Sequence, residues 1–311
     1  MMTRVLAAAA LLPTALALTG CGAFTEDTAT SEDGVQVATA FYPLQYVAER
    51  VAGDHASVDN LTSPGGEPHD LELTPQETAD VANADLVMFE HGFQPAVDDA
   101  VETNATGELL DAADVLDLRP ADEDHAEHEE HADDDEHDHG DLDPHFWLDP
   151  LLMADLGDEV ADRLAEIDPD HADDYAANAA SLRSDLEDLD AAYADGLADC
   201  ARDTVVVSHD AFGYLDRYGL HFEPIAGLSP GAEPTPADLA RLQDLVRDEG
   251  ITTIFSEALV SPRAAEQLAR DTGVRTAVLD PIEGLSDETA DEDYLSLMRS
   301  NLTKLEEANG C

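Results

Sequence analysis

Four residues in four separate segments carry side chains suited to holding a cation. His69 lies in Gly65-Gly66-Glu67-Pro68-His69-Asp70, and His145 in Asp143-Pro144-His145-Phe146-Trp147. His209 follows Val207-Ser208, and Asp280 stands in Val278-Leu279-Asp280-Pro281. Imidazole nitrogen and carboxylate oxygen are ligands that Zn²⁺ takes in a four-coordinate shell, with bonds of about 2.0–2.2 Å. The four positions form no compact motif, so their chemistry depends on whether a fold brings them together. Glu67 and Glu257 lie close to these segments and read as supporting carboxylates. Asp70 and Asp210 are candidate acceptors for the rings of the histidines before them.

A second group of histidines sits in a different setting. Residues 121–141 hold His125, His128, His131, His137 and His139 among twelve Asp and Glu, with almost nothing apolar. Such a segment has no surface to bury and reads as a mobile loop. Mixed imidazole and carboxylate suit weak, multi-site cation capture, so these five are auxiliary ligands without fixed geometry.

The elements around the four residues alternate. Val35–Thr39 reads as a strand, 42–52 as a helix by its apolar spacing, 57–61 as a strand and 75–82 as a helix with Pro75 in its first turn. Residues 85–89 follow as a strand and 94–103 as a helix. Residues 151–167 and 169–198 have helical periodicity; the second run, about 28 residues, predicts a strut of roughly 42 Å. The alternation then resumes: strand 204–208, helix 212–218, a strand near Phe222, helix 236–249, strand 252–255, helix 262–272, strand 275–279 and helix 293–308. This order predicts two parallel-sheet α/β lobes, 35–150 and 200–311, joined by linking helices over 151–199. In open α/β sheets ligands bind beyond the carboxyl ends of the strands. His69, His209 and Asp280 satisfy that rule directly, and two ligands from each lobe would place an ion in the cleft.

The composition narrows the classes of partner. Of 311 residues 43 % are hydrophobic, enough for real cores, while 14 Lys and Arg face 71 Asp and Glu, a net charge of −57. That surface repels nucleic acid and anionic headgroups, although the spread of the acids along the chain makes a solvated acidic coat the simplest reading of the charge. Arg4, the apolar run 5–18 and Leu18-Thr19-Gly20-Cys21 read as an export signal over 1–20, with Cys21 as a lipidated residue and 21–34 as a tether. The Leu-Thr-Gly-Cys ending resembles a bacterial lipobox. Cys200 and Cys311 remain, and an even pair in an oxidising compartment favours a disulfide over a metal site; two free thiols are the alternative.

Taken in order, Gly-Gly-Glu-Pro-His69-Asp, Asp-Pro-His145-Phe-Trp-Leu-Asp-Pro, Ser-His209-Asp-Ala-Phe-Gly-Tyr and Leu-Asp280-Pro resemble segments of the zinc/manganese solute-binding proteins of ABC importers, the ZnuA-like group. Gly227-Leu-Ser-Pro-Gly-Ala-Glu-Pro-Thr-Pro236 is similar to that group as well, and the likeness covers nearly the whole mature chain. The resemblance implies two lobes on a rigid connecting helix, a metal between them, and a monomer that delivers it to a membrane permease. In that group a His at the third ligand position goes with zinc and a Glu with manganese; here it is His209. Imidazole suits zinc, and more carboxylate the harder manganese ion. The acidic His-rich segment resembles an insert of zinc-specific members.

The expectation is therefore a lipid-anchored protein outside the cell membrane that captures Zn²⁺ with His69, His145, His209 and Asp280 and is not an enzyme. Three alternatives stand beside it: a manganese or iron binder of the same fold, an adhesin or metal buffer without transport, and a zinc hydrolase. The last lacks a His-Glu-x-x-His helix and a serine nucleophile elbow, and a site filled by four protein ligands leaves no position for water.

Overall fold

Strands with near-continuous apolar runs demand cover on both faces, and helices supply it here. The computed structural model describes residues 34–121 and 142–311. In the first half β1 (Val35–Thr39), β2 (Ala56–Asn60), β3 (Leu86–Phe89) and β4 (Glu108–Asp111) form a sheet of order β2-β1-β3-β4, every pairing parallel. The central strand β3, Leu-Val-Met-Phe, is buried throughout, whereas the edge strand β2 alternates between half-buried and exposed positions. Helices α1 (Tyr42–Ala52), α2 (Pro75–Asn83), α3 (Pro95–Asn104) and the single turn α4 (Ala112–Val115) make the connections.

Two helices then link the halves, α5 (Pro150–Ile167) and α6 (Ala172–Gly196), packed along one another. The 25 residues of α6 span about 37 Å at 1.5 Å per residue. It is shorter than its periodicity suggests because Pro169–His171 forms a separate 3₁₀ turn. The second half repeats the first: β5 (Thr204–Val207), β6 (His221–Pro224), β7 (Thr253–Ser256) and β8 (Arg275–Val278) are ordered β6-β5-β7-β8, again all parallel. Helices α7 (Pro236–Asp248), α8 (Arg263–Thr272) and α9 (Tyr294–Asn309) complete it, and the helix expected over 212–218 is a 3₁₀ segment, Gly213–Tyr218.

The repeat extends to local chemistry. Thr74-Pro75-Gln76-Glu77 and Thr235-Pro236-Ala237-Asp238 both close capping boxes, in which the threonine accepts from the third helical N–H and the acid accepts from the threonine N–H. The main apolar core runs through both halves: Val37, Phe41 and Met88 of the first sheet, Trp147, Leu164 and Leu186 of the linking region, and Val205, Val207 and Phe255 of the second sheet belong to one cluster. A smaller cluster, including Val206, Leu242, Ile254 and Leu268, lies under α7 and α8. Cys200 is bonded to Cys311, tying the last residue back to the segment before β5 across 111 residues. Among the described residues no helix is long and apolar enough to cross a membrane.

Candidate metal centre

Both sheets reverse their strand order at one point, between β1 and β3 and between β5 and β7, and the crevice beyond such a point is where α/β sheets take ligands. His209 comes two residues after β5 and Glu257 one residue after β7, so the reversal itself sets them side by side. The Nδ1 of His209 lies 2.8 Å from Glu257 Oε1, and the His209 backbone N–H donates to the same oxygen.

His145 lies between β4 and α5, in a turn whose geometry Asp143 fixes twice. One Asp143 oxygen accepts the His145 backbone N–H and lies 2.8 Å from the ring Nδ1. Gly213 permits this packing, since a Cβ there would stand 2.5 Å from Arg119 Nη1 and 3.0 Å from the other Asp143 oxygen. His69 sits in the loop after β2. Glu67 accepts the backbone N–H groups of His69 and Asp70, while buried Gln94 donates to the Pro68 carbonyl and the Thr62 hydroxyl, pinning the approach to the histidine.

These supports turn the three Nε2 atoms towards one point, and the carboxylate that meets them is Glu283. Its Oε1 is 3.3 Å from His69 Nε2, 3.2 Å from His209 Nε2 and 3.7 Å from His145 Nε2, and the last two nitrogens are 3.4 Å apart. One donor atom from each of the four residues lies within 4.8 Å of every other. A tetrahedral ion with bonds of about 2.0–2.2 Å has ligand-to-ligand edges of about 3.3–3.6 Å, so the arrangement is already near that size. His145, His209 and Glu283 are buried, and His69 keeps a small exposure. Phe93 packs edge-on to His69 and, with Phe41, against Trp147, which lines the other side of His145.

The structure thus brings together His69, His145 and His209, and places Glu283 beside them where Asp280 was expected. One Asp280 oxygen accepts the Ile282 N–H, and its backbone exchanges hydrogen bonds with the buried Asn301 side chain. Ile282 holds φ at +61°, the one positive φ among the described non-glycine residues. That left-handed residue turns the chain so that the side chain three positions after Asp280 faces the histidines. Trp147 holds the same loop by donating from Nε1 to the Pro281 carbonyl. Sequence adjacency also misled for the ring of His209, whose Nδ1 neighbour is Glu257 rather than Asp210. Asp143 was not singled out at all, although it stands two residues before His145 in the same Asp-Pro-His turn. Cys21 and His125, His128, His131, His137 and His139 lie outside the described residues.

The electrostatics follow from these contacts. Burial lowers the His145 pKa against the pull of Asp143, favouring the neutral ring. Burial opposes charge on His209 too, but Glu257 and Glu283 outweigh it and raise its pKa to about 10. Burial would raise the Glu283 pKa, yet His209 and His69 hold that carboxyl well below the usual range. The opposite shifts of His209 and Glu283 have one cause, an imidazole and a carboxylate held 3.2 Å apart in a buried site.

A family model described as ZnuA, zinc-uptake complex component A periplasmic, matches residues 37–308. The high-affinity zinc uptake system protein ZnuA of Bacillus subtilis is 34 % identical over 301 residues, covering 94 % of this chain and 94 % of its own. Zinc-binding lipoprotein AdcA of Streptococcus pneumoniae is 33 % identical over 280 residues, 88 % of this chain and 55 % of its own, so the chain spans about half the length of that relative. The crystal structure of the Zn(II)-bound ZnuA-like domain of S. pneumoniae AdcA superposes with a TM-score of 0.73 at 32 % identity, over 89 % of this chain and 100 % of that one.

Proposed function

Because the chain belongs to the ZnuA family of periplasmic zinc-uptake components, we propose that it captures Zn²⁺ outside the cytoplasm and passes it to the permease of an ABC importer. The observation that carries this reading is the convergence of three Nε2 atoms and one carboxylate, at near-tetrahedral spacing, in a buried pocket between two lobes. We assign His69, His145, His209 and Glu283 as the ligands. Three imidazoles to one carboxylate favour zinc over manganese.

The His145 ring is hydrogen-bonded at Nδ1 to Asp143, and Glu257 stands 2.8 Å from His209 Nδ1, so both rings keep Nε2 for the ion. Four protein ligands leave no position for an activated water, which supports a carrier rather than an enzyme. Lipid on Cys21 would hold the carrier at the membrane, and the five histidines of 121–141 would add weak capture sites; both readings rest on the sequence alone.

The test is competition titration in equimolar Zn²⁺ and Mn²⁺ with the wild type and His209→Ala. The expected result is zinc loading at one tight site, lost in the variant. Preferential manganese loading, or tight zinc binding that survives the substitution, would overturn the reading.

A further inference from the structure

The internal repeat places a second glutamate where nothing in the metal centre uses it. Ala38 pairs with Val87 in the first sheet as Val206 pairs with Ile254 in the second. Counting on from those pairs, Glu90 after β3 corresponds to Glu257 after β7, and Phe41 corresponds to His209. Glu257 has an imidazole beside it. Glu90, at the equivalent place, has an aromatic residue in that position; its Oε2, like that of Glu257, is buried without a hydrogen-bond partner.

Glu90 also borders a cavity of about 170 Å³ whose wall includes His69, His91, Phe93, Pro144 and Leu228. Three further carboxylates, Asp143, Asp111 and Asp98, act on Glu90 and, after burial itself, hold its carboxyl well above the usual range. His91 stands at the same end of the sheet, with its Nδ1 3.3 Å from Asp98 and its backbone N–H donating to Asp111. A buried carboxylate oxygen without a hydrogen-bond partner is costly, and a cation beside it would supply the missing partner. His69, the one ligand of the four with more than trace exposure, is the one that reaches this cavity. Glu283 borders a separate groove near Tyr42 and Ser63, with no unpartnered buried acid along it.

We propose that the cavity is the access path of the ion and that Glu90 is a transient carboxylate ligand from which a divalent cation passes to His69. Among the described residues only the centre itself gathers three or more donors closely enough to hold an ion tightly, so Glu90 is a waypoint and not a second storage site. The inference rests on the proposed zinc-binding reading.

Trp147, the one tryptophan of the chain, has its ring 5.3 Å from that of His145 and reports on loading. Stopped-flow fluorescence with zinc chloride should be run on the wild type, Glu90→Gln and Asp99→Asn, the last an exposed charge loss on α3. A waypoint lies on the path and not in the bound state. Association and dissociation should therefore both slow about tenfold in Glu90→Gln, with Kd unchanged within about twofold, and Asp99→Asn should match the wild type. Should Glu90→Gln fail to fold, Glu90→Asp, which draws the carboxylate back, takes its place with a smaller slowing in the same sense. An unaltered association rate, or a Kd weakened through faster dissociation, overturns the waypoint. A wild type that binds no zinc overturns the functional reading instead.

Discussion

At the scale of residues, the convergence of three histidines was legible because each stands in a short segment with its own turn chemistry: Pro68-His69, Pro144-His145 and the strand end before His209. The carboxylate that meets them was not. Asp280 and Glu283 occupy one loop, and the choice between them depends on the left-handed backbone of Ile282, a conformation that a β-branched residue rarely adopts and no periodicity announces. The two acids are therefore the sharpest test at this scale. Glu283→Gln should weaken zinc binding about 100-fold or more, whereas Asp280→Asn, which keeps an oxygen for the Ile282 N–H, should stay within about tenfold, measured by chelator competition. The reverse order would restore Asp280 as the ligand. Glu257→Gln should cost about 10- to 100-fold through the freed His209 ring. The raised His209 pKa adds a pH signature. At neutral pH the metal-free ring is protonated and must lose that proton to coordinate, so loading should release about one proton there, and affinity should fall as pH falls. Calorimetry in buffers of different ionisation enthalpy measures this release, and its absence would mean that His209 is neutral before zinc arrives.

At the scale of elements, the helices other than α6 matched the structure within one or two residues where they were expected, and Pro75, Pro150 and Pro236 stand at three of their starts. The short pieces did not. β4, Glu-Leu-Leu-Asp, lies at a sheet edge with two of its four residues exposed, and only its pairing with β3 makes it a strand. The Gly213–Tyr218 segment is too short for its pattern to distinguish a 3₁₀ from an α-helix. The Cys200–Cys311 bond belongs to this scale, because it fastens the end of α9 beside the start of β5. Replacing both cysteines with serine should cost about 2–4 kcal/mol in denaturant unfolding, largely through a freer unfolded chain. Zinc affinity should be untouched, as neither cysteine is among the proposed donors; a folded protein with unchanged midpoint would show the bond to be idle.

At the scale of the whole molecule, the net charge of −57 acts on the fold more than on the site. Like charges this dense repel one another, and the repulsion weakens as the screening length shrinks from about 30 Å at 0.01 M salt to about 3 Å at 1 M. The thermal midpoint of the metal-free protein should rise steadily with sodium chloride over that range, and a flat or falling midpoint would contradict this account of the charge. The two-lobe architecture was readable from the repeated strand–helix order. The shared core was not, because it depends on where the linking helices dock. That core sets the distance between the sheets, and hence between His69 and His145 on one side and His209 and Glu283 on the other. The account stands on that distance being right for a single ion. Diffraction at the zinc absorption edge from crystals of the loaded protein measures it directly. The predicted result is one strong anomalous peak bonded to Nε2 of residues 69, 145 and 209 and to the carboxylate of residue 283. A peak coordinated by any other set, or none in the cleft, would contradict it.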